Sequence, residues 1–200
     1  SGRQVPCRRE ADQAAMALLY NILLFTLWPL YAAAGLLSTN VRRFQESRAD
    51  GVRRLQRALG DLPPAAGWIW LHGSSVGEMD QALALAREIR GRGRTEKIFL
   101  SVFSMSVKKL DQPDADVVFQ MPVDFFWSWR FVHRRPPAFF VTMTWDVFPN
   151  LLGALQKAGT PSYLCSGALA DSSHRLRFPM AALYRSVYRR FRGIGAVDER

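Results

Sequence analysis

Cysteine is scarce in this chain. Cys7 and Cys165 are its only two, and they lie far apart in the 200 residues. A disulfide-framework scaffold is excluded, and the lack of a Cys-x-x-Cys pair also excludes a zinc ribbon or a thioredoxin-type redox site. His72, His133 and His174 stand alone, with no partner at i+3 or i+4, so no metal site is expected. Acidic residues are few: 17 Asp and Glu against 27 Lys and Arg, a net charge of +10. That balance calls for an acidic partner such as nucleic acid, an anionic membrane surface or a phosphorylated substrate. No RRM, KH or zinc-finger spacing is present, so no nucleic-acid partner is expected. With 48% hydrophobic and 22% charged residues the chain can bury a sizeable core, and its length suits one domain with an appendage.

What is present begins with a long apolar run. No residue between Asp12 and Arg42 is charged, and residues 14–37 read AAMALLYNILLFTLWPLYAAAGLL. About 20 apolar residues suffice to span a bilayer core as a helix. Tyr20, Trp28 and Tyr31 suit the membrane interface, while Asn21 and Pro29 interrupt the run. Arg42, Arg43, Arg48, Arg53, Arg54 and Arg57 follow, which by the positive-inside rule puts this flank in the cytoplasm. Residues 41–59 form a helix with Val41, Phe44, Val52, Leu55 and Leu59 among those arginines. It either lies on anionic headgroups or covers the domain that follows. Residues 61–67 (DLPPAAG) read as a linker.

From residue 67 onward strands and helices alternate. Strands are expected at 68–72, 97–103, 116–120, 138–143, 162–165 and from 194. Helices are expected at 76–90, around 106–110, at 125–133, 149–158 and 180–192. This alternation predicts an α/β domain, a parallel sheet with helices on both faces, preceded by an N-terminal membrane-anchor helix. The chain divides into an arm and anchor (1–40), a basic membrane-proximal helix with linker (41–66) and the α/β domain (67–200). Ligands of such sheets sit outside the carboxyl ends of the strands. Phe125, Phe126, Trp127, Trp129 and Phe131 would cover most of a helix circumference, so some of them are expected to touch membrane or a partner. Arg185, Arg189 and Arg192 share one face of the last helix, either solvated or meeting phosphate.

The first strand runs into His72-Gly-Ser-Ser-Val-Gly-Glu78, which is neither Gly-x-Gly-x-x-Gly nor a Walker A loop. Its glycines admit a close ligand, Ser74 and Ser75 offer hydroxyls, and the next helix offers free N–H groups to an anion. Glu78 sits in the first helical turn, where the dipole favours the ionised form that a general base requires. The same residues also spell a capping box, with Ser75 as cap and Glu78 three residues on. His72 and His133 read as packed or surface residues rather than ligands. Asp146 reads either as an acidic site residue or as the cap of the helix near Pro149.

The apolar anchor, the arginine-rich stretch, Ser75-Val-Gly-Glu78 and Met143-Thr-Trp-Asp-Val-Phe-Pro-Asn150 occur in an order that resembles the N-terminal half of the 3-deoxy-D-manno-octulosonic acid (Kdo) transferases. The resemblance implies a Rossmann-like acceptor domain of a GT-B glycosyltransferase that moves Kdo from CMP-Kdo to the lipid A precursor in lipopolysaccharide assembly. It implies no cofactor, a CMP-Kdo donor bound by a C-terminal domain outside this chain, and a place on the cytoplasmic face of the inner membrane. Glu78 would be the catalytic base, with Ser74, Ser75, Gly77, Ser104, Asp146 and Asn150 binding substrate. The chain departs from the family pattern where Thr144 and Asp146 replace glutamates, Val107 replaces a glycine, and Ser166-Gly-Ala168 lacks an arginine. Those altered loops favour the alternative of a non-catalytic, membrane-anchored binding module built on the same fold.

Overall fold

The computed structural model describes residues 8–63, 66–107, 110–144, 146–167 and 180–196. Six strands form one sheet: β1 (Trp68–His72), β2 (Lys97–Val102), β3 (Val117–Gln120), β4 (Phe140–Met143), β5 (Ser162–Gly167) and β6 (Gly193–Ala196). Every pairing is parallel and the spatial order is β3-β2-β1-β4-β5-β6. This is the strand order of a doubly wound Rossmann-like sheet, and its switch point falls between β1 and β4. The helices are α1 (Arg8–Leu37), α2 (Thr39–Asp61), α3 (Val76–Gly91), α4 (Arg130–Arg134), α5 (Pro149–Lys157) and α6 (Met180–Tyr188).

Strand alternation sorts the core into two layers. Trp68 and Trp70 of β1 join Phe99, Phe119, Phe140 and Trp129 on one face, under Leu55 and Leu59 of α2 and Leu152 and Leu155 of α5. Ile69 and Leu71 join Ile98, Leu100, Val118 and Val141 on the other, against Met79, Ala82, Leu83 and Ala86 of α3. All five residues of β1 are buried, as a central parallel strand requires.

Helix α2 covers the domain with one face, the second of the two roles the sequence offered. It buries Arg48, Gly51, Leu55 and Leu59. At Gly51 the approach to β3 is so close that a Cβ would lie 2.1 Å from the carbonyl oxygen of Gln120. Helix α2 thus packs as a layer on the sheet.

Helix α1 holds the one stretch, Ala15–Leu37, that is long and apolar enough among the described residues to cross a membrane. It continues through Pro29 and leaves Leu18, Leu19, Ile22, Leu23, Phe25 and Leu30 exposed.

Three local expectations change. The aromatic run expected as a helix at 125–133 is a 3-10 turn (Phe126–Trp129) followed by α4. Asp124 draws this run inward through the Trp129 indole, so Phe125, Trp129 and Val132 are buried while Phe126 and Trp127 stay exposed. No helix forms at 106, 107 or 110, where the Ser104 hydroxyl instead accepts from Ser106 N (3.1 Å) in a local turn. Helix α6 stops at Tyr188, four residues earlier than the pattern suggested, and Arg192 N donates to Ser162 O (2.8 Å) as the chain enters β6. The loop with Ala168 lies outside the described residues, as do Trp145 and His174.

Candidate active site at the carboxyl ends of β1, β2 and β4

The site grows from the end of β1. Gly73 N donates to Ser101 O (3.1 Å). A Cβ on Gly73 would fall 2.6 Å from the Glu78 main chain, so only glycine lets the loop fold back on α3. Ser75 is the N-cap of α3, its Oγ accepting from Glu78 N at 3.3 Å. Glu78 Oε2 in turn accepts from Ser74 N (2.8 Å) and Ser75 N (3.2 Å). The capping box is therefore formed, and it does not use up the carboxylate. Two main-chain donors fix one oxygen, and Oε1 has no protein partner among the described residues. Gly77 is exposed, with open space where a side chain would be.

The end of β2 joins this loop directly. Ser104 N donates to Ser74 O at 2.7 Å, which brings two of the expected binding residues together. At the end of β4, Thr144 adopts φ 59°, a conformation strained for a β-branched residue, with its N–H bonded to Cys165 O (2.8 Å). The carbonyl of Asp146 accepts from Thr142 Oγ1 (3.1 Å). The Asp146 side chain does not cap α5, whose N-cap is Phe148 without a side-chain hydrogen bond. Instead it is close enough to His72 for its charge to act on the ring. His72 is fully buried, and burial pushes its pKa down to about 4 against the opposing pull of Asp146. His133 is exposed.

Asn150 has a different setting from the other expected site residues. Its Nδ2 donates to Asn21 Oδ1 (2.9 Å) and to Asp124 O (2.5 Å), and its Oδ1 accepts from Asn21 Nδ2 (3.0 Å). Both ends of its amide are engaged, and what they hold is α1. Asn21, a polar interruption in the apolar run, is thus one half of a docking pair.

Two residues that the sequence reading did not single out as site residues organise this region. Asp124 is buried and accepts from Asn150 N (3.0 Å), Leu151 N (3.0 Å), Trp129 Nε1 (2.6 Å) and Tyr20 OH (3.0 Å). It caps α5 from a distance and anchors α1 in the same act. Burial raises its pKa to about 7, opposed by the hydrogen bonds it accepts. Arg48 is 4% exposed and has no carboxylate partner among the described residues. Its guanidinium lies 3.7 Å from the Phe44 ring and 4.0 Å from the Phe103 ring. It donates to Met121 O (2.6 Å) and Phe103 O (2.9 Å), tying α2 to the ends of β3 and β2. Burial lowers its pKa to about 10, so it stays charged. The signal for it was helical spacing, since Phe44, Arg48, Gly51 and Leu55 fall on one stripe.

Among the described residues no three His, Cys, Asp or Glu side chains converge as metal ligands. What this loop offers is an oriented carboxylate, serine hydroxyls and a helix N-terminus at the switch point of a parallel sheet. That set suits deprotonation of a hydroxyl.

Comparison with known proteins bears on this site. Residues 42–200 match the family model described as 3-Deoxy-D-manno-octulosonic-acid transferase (kdotransferase). A 3-deoxy-D-manno-octulosonic acid transferase from Haemophilus influenzae is 28% identical over 162 residues, covering 78% of this chain. The matched region is 37% of that relative's length, so the chain spans well under half of it. On the family match, which runs from the start of the basic stretch through β6, this chain belongs to the Kdo transferase family.

Proposed function

We propose that the protein to which this chain belongs transfers Kdo from CMP-Kdo to the lipid A precursor, with Glu78 as general base. Supporting the reading is one observation above all: the Glu78 carboxylate is held by Ser74 N and Ser75 N through a single oxygen, leaving Oε1 without a partner among the described residues. In the proposed step Oε1 takes the proton from an acceptor hydroxyl. The hydroxyl oxygen bonds to the anomeric carbon of Kdo, and the bond to the CMP phosphate breaks. Ser74, Ser75, Gly77, Ser104 and Asp146 line the acceptor side. The donor is held by a second Rossmann-like domain outside this chain, in a GT-B arrangement.

The acceptor is a lipid, and α1 supports a membrane-surface reading. It leans on the domain at Tyr20, Asn21, Trp28, Tyr31 and Gly35. At 1.5 Å per residue those contacts cover about 22 Å of helix, most of a hydrocarbon core of about 30 Å. A perpendicular crossing would drag the domain into the bilayer. We therefore read α1 as lying in the interface, its exposed leucines, Phe126 and Trp127 in the acyl zone and the arginines of α2 near anionic headgroups. The arginine-rich flank supports assigning this surface to the cytoplasmic face of the inner membrane, whose leaflet is anionic.

A second reading, a binding module without transfer, is favoured by Thr144 and Asp146 standing where the family pattern has glutamates. The whole protein incubated with CMP-Kdo and lipid A precursor separates the two. A lipid product heavier by one Kdo supports transfer; lipid binding with no such product supports the module.

A further inference from the structure

Beneath the Glu78 loop four side chains form a line of which the proposed step uses only Ser74. Trp70 Nε1 lies 2.8 Å from Ser101 Oγ, Ser101 Oγ 2.8 Å from His72 Nδ1, and His72 Nε2 3.1 Å from Ser74 Oγ. Trp70, Ser101 and His72 are all fully buried, and Ser74 sits half-buried at the mouth. The line crosses from β1 to β2, where His72 and Ser101 are register partners.

Its direction follows from the chemistry of its members. An indole N–H only donates, so Ser101 Oγ accepts from Trp70. The Ser101 hydroxyl has one hydrogen and two candidate acceptors, His72 Nδ1 at 2.8 Å and Leu71 O at 3.4 Å. Assigning it to the shorter contact fits the distances, because a hydroxyl bond at 3.4 Å is well beyond the usual 2.5–3.0 Å, although the Ser101 main chain also bonds the ring. A neutral imidazole that accepts at Nδ1 carries its hydrogen on Nε2 and donates from there. Ser74 Oγ is then an acceptor toward His72, and its own hydrogen is free.

We propose that His72 is a positioning residue, locked as the Nε2–H tautomer by Trp70 and Ser101, and that it leaves the Ser74 hydroxyl as a hydrogen-bond donor to an oxygen of the sugar ligand beside Glu78. Ser74 thereby has two roles. Its main-chain N–H orients the base, and its side chain, aimed by His72, orients the substrate. The opposite tautomer would draw the Ser74 hydrogen into the ring and leave the ligand only lone pairs. The part concerning the ligand rests on the Kdo-transfer reading above; the tautomer does not.

The test uses the whole protein in micelles, 15N-labelled at histidine, with long-range 1H–15N NMR to find which ring nitrogen carries hydrogen. His72 is assigned as the signal lost in His72→Gln. The expected result is a neutral ring protonated at Nε2, with that preference lost in Ser101→Ala. In the transfer assay Ser101→Ala and Ser74→Ala should each lower kcat about tenfold, the equivalent of one hydrogen bond, while Ser74→Thr restores most of it. Hydrogen on Nδ1, or a parent-like kcat in both alanine variants, would overturn the proposal. If the whole protein transferred no Kdo, the proposed reaction would fall, and the NMR result would still uphold or overturn the tautomer.

Discussion

Replacing Asp124 by alanine should loosen α5 and α1 together. The carboxylate serves four donors: two main-chain N–H groups of the first turn of α5, the Trp129 indole and the Tyr20 hydroxyl. Loss of a cap costs about 1 kcal/mol. Trp129 is fully buried, so its stranded N–H costs about 1–3 kcal/mol more. Losing the Tyr20 bond adds about 1 kcal/mol, partly offset because a buried carboxylate is no longer desolvated. A net loss of about 3 kcal/mol lowers Tm by roughly 6–12 °C for a chain of this size. Asp124→Asn keeps one acceptor oxygen but sets an NH2 against another donor, and should cost about 1–2 kcal/mol. The pH dependence has a definite sign. The folded pKa, about 7, lies above the unfolded carboxylate value of about 3.9. This contribution to stability is therefore fully present below the unfolded value and is lost as pH rises through about 7. The advantage of the parent over Asp124→Asn should be larger at pH 5 than at pH 8. Thermal unfolding in micelles, followed by circular dichroism, measures both effects. Equal Tm values for parent and Asp124→Ala, or a parent advantage that grows with pH, would refute the reasoning.

Three further outcomes follow from the same geometry. Arg48→Lys should destabilise by about 2–3 kcal/mol in denaturant melts, because an ammonium cannot bridge the Phe103 and Met121 carbonyls while stacking between two rings. Phe126→Ser combined with Trp127→Ser should weaken vesicle binding at least tenfold in a pelleting assay, since both side chains are exposed apolar surface beside α1. Gly73→Ala should cost about 1–3 kcal/mol and remove transfer, because the added methyl falls 2.6 Å from the Glu78 main chain; a melt and a transfer assay check the two halves.

Much of the fold could be read from period and punctuation. Trp68-Ile-Trp-Leu alternates between two faces that are both buried, and Gly73 closes the strand, so β1 and its loop were legible. The split of the aromatic run at 125–131 was not. It depends on Asp124 drawing the Trp129 indole inward, a contact between a side chain and a turn that local spacing does not encode. The role of α2 was ambiguous for a related reason. Its arginines suit headgroups equally well, and only Gly51 against Gln120 fixes it on β3. At the site, Ser75 and Glu78 were legible because a capping box is a local motif. Asn150 stands out in sequence only as part of the Phe-Pro-Asn motif, and its amide pairing with Asn21 across 129 positions is not visible there. Long-range polar pairs of that kind leave no periodic trace.

Glu78 carries the proposed reaction. Glu78→Gln keeps an oxygen that can accept from Ser74 N and Ser75 N, so the loop should stay folded, but an amide cannot take a proton. In the whole protein, with CMP-Kdo and lipid A precursor, the substitution should lower the transfer rate at least a hundredfold while lipid binding is retained. Transfer at the parent rate by Glu78→Gln would contradict the account.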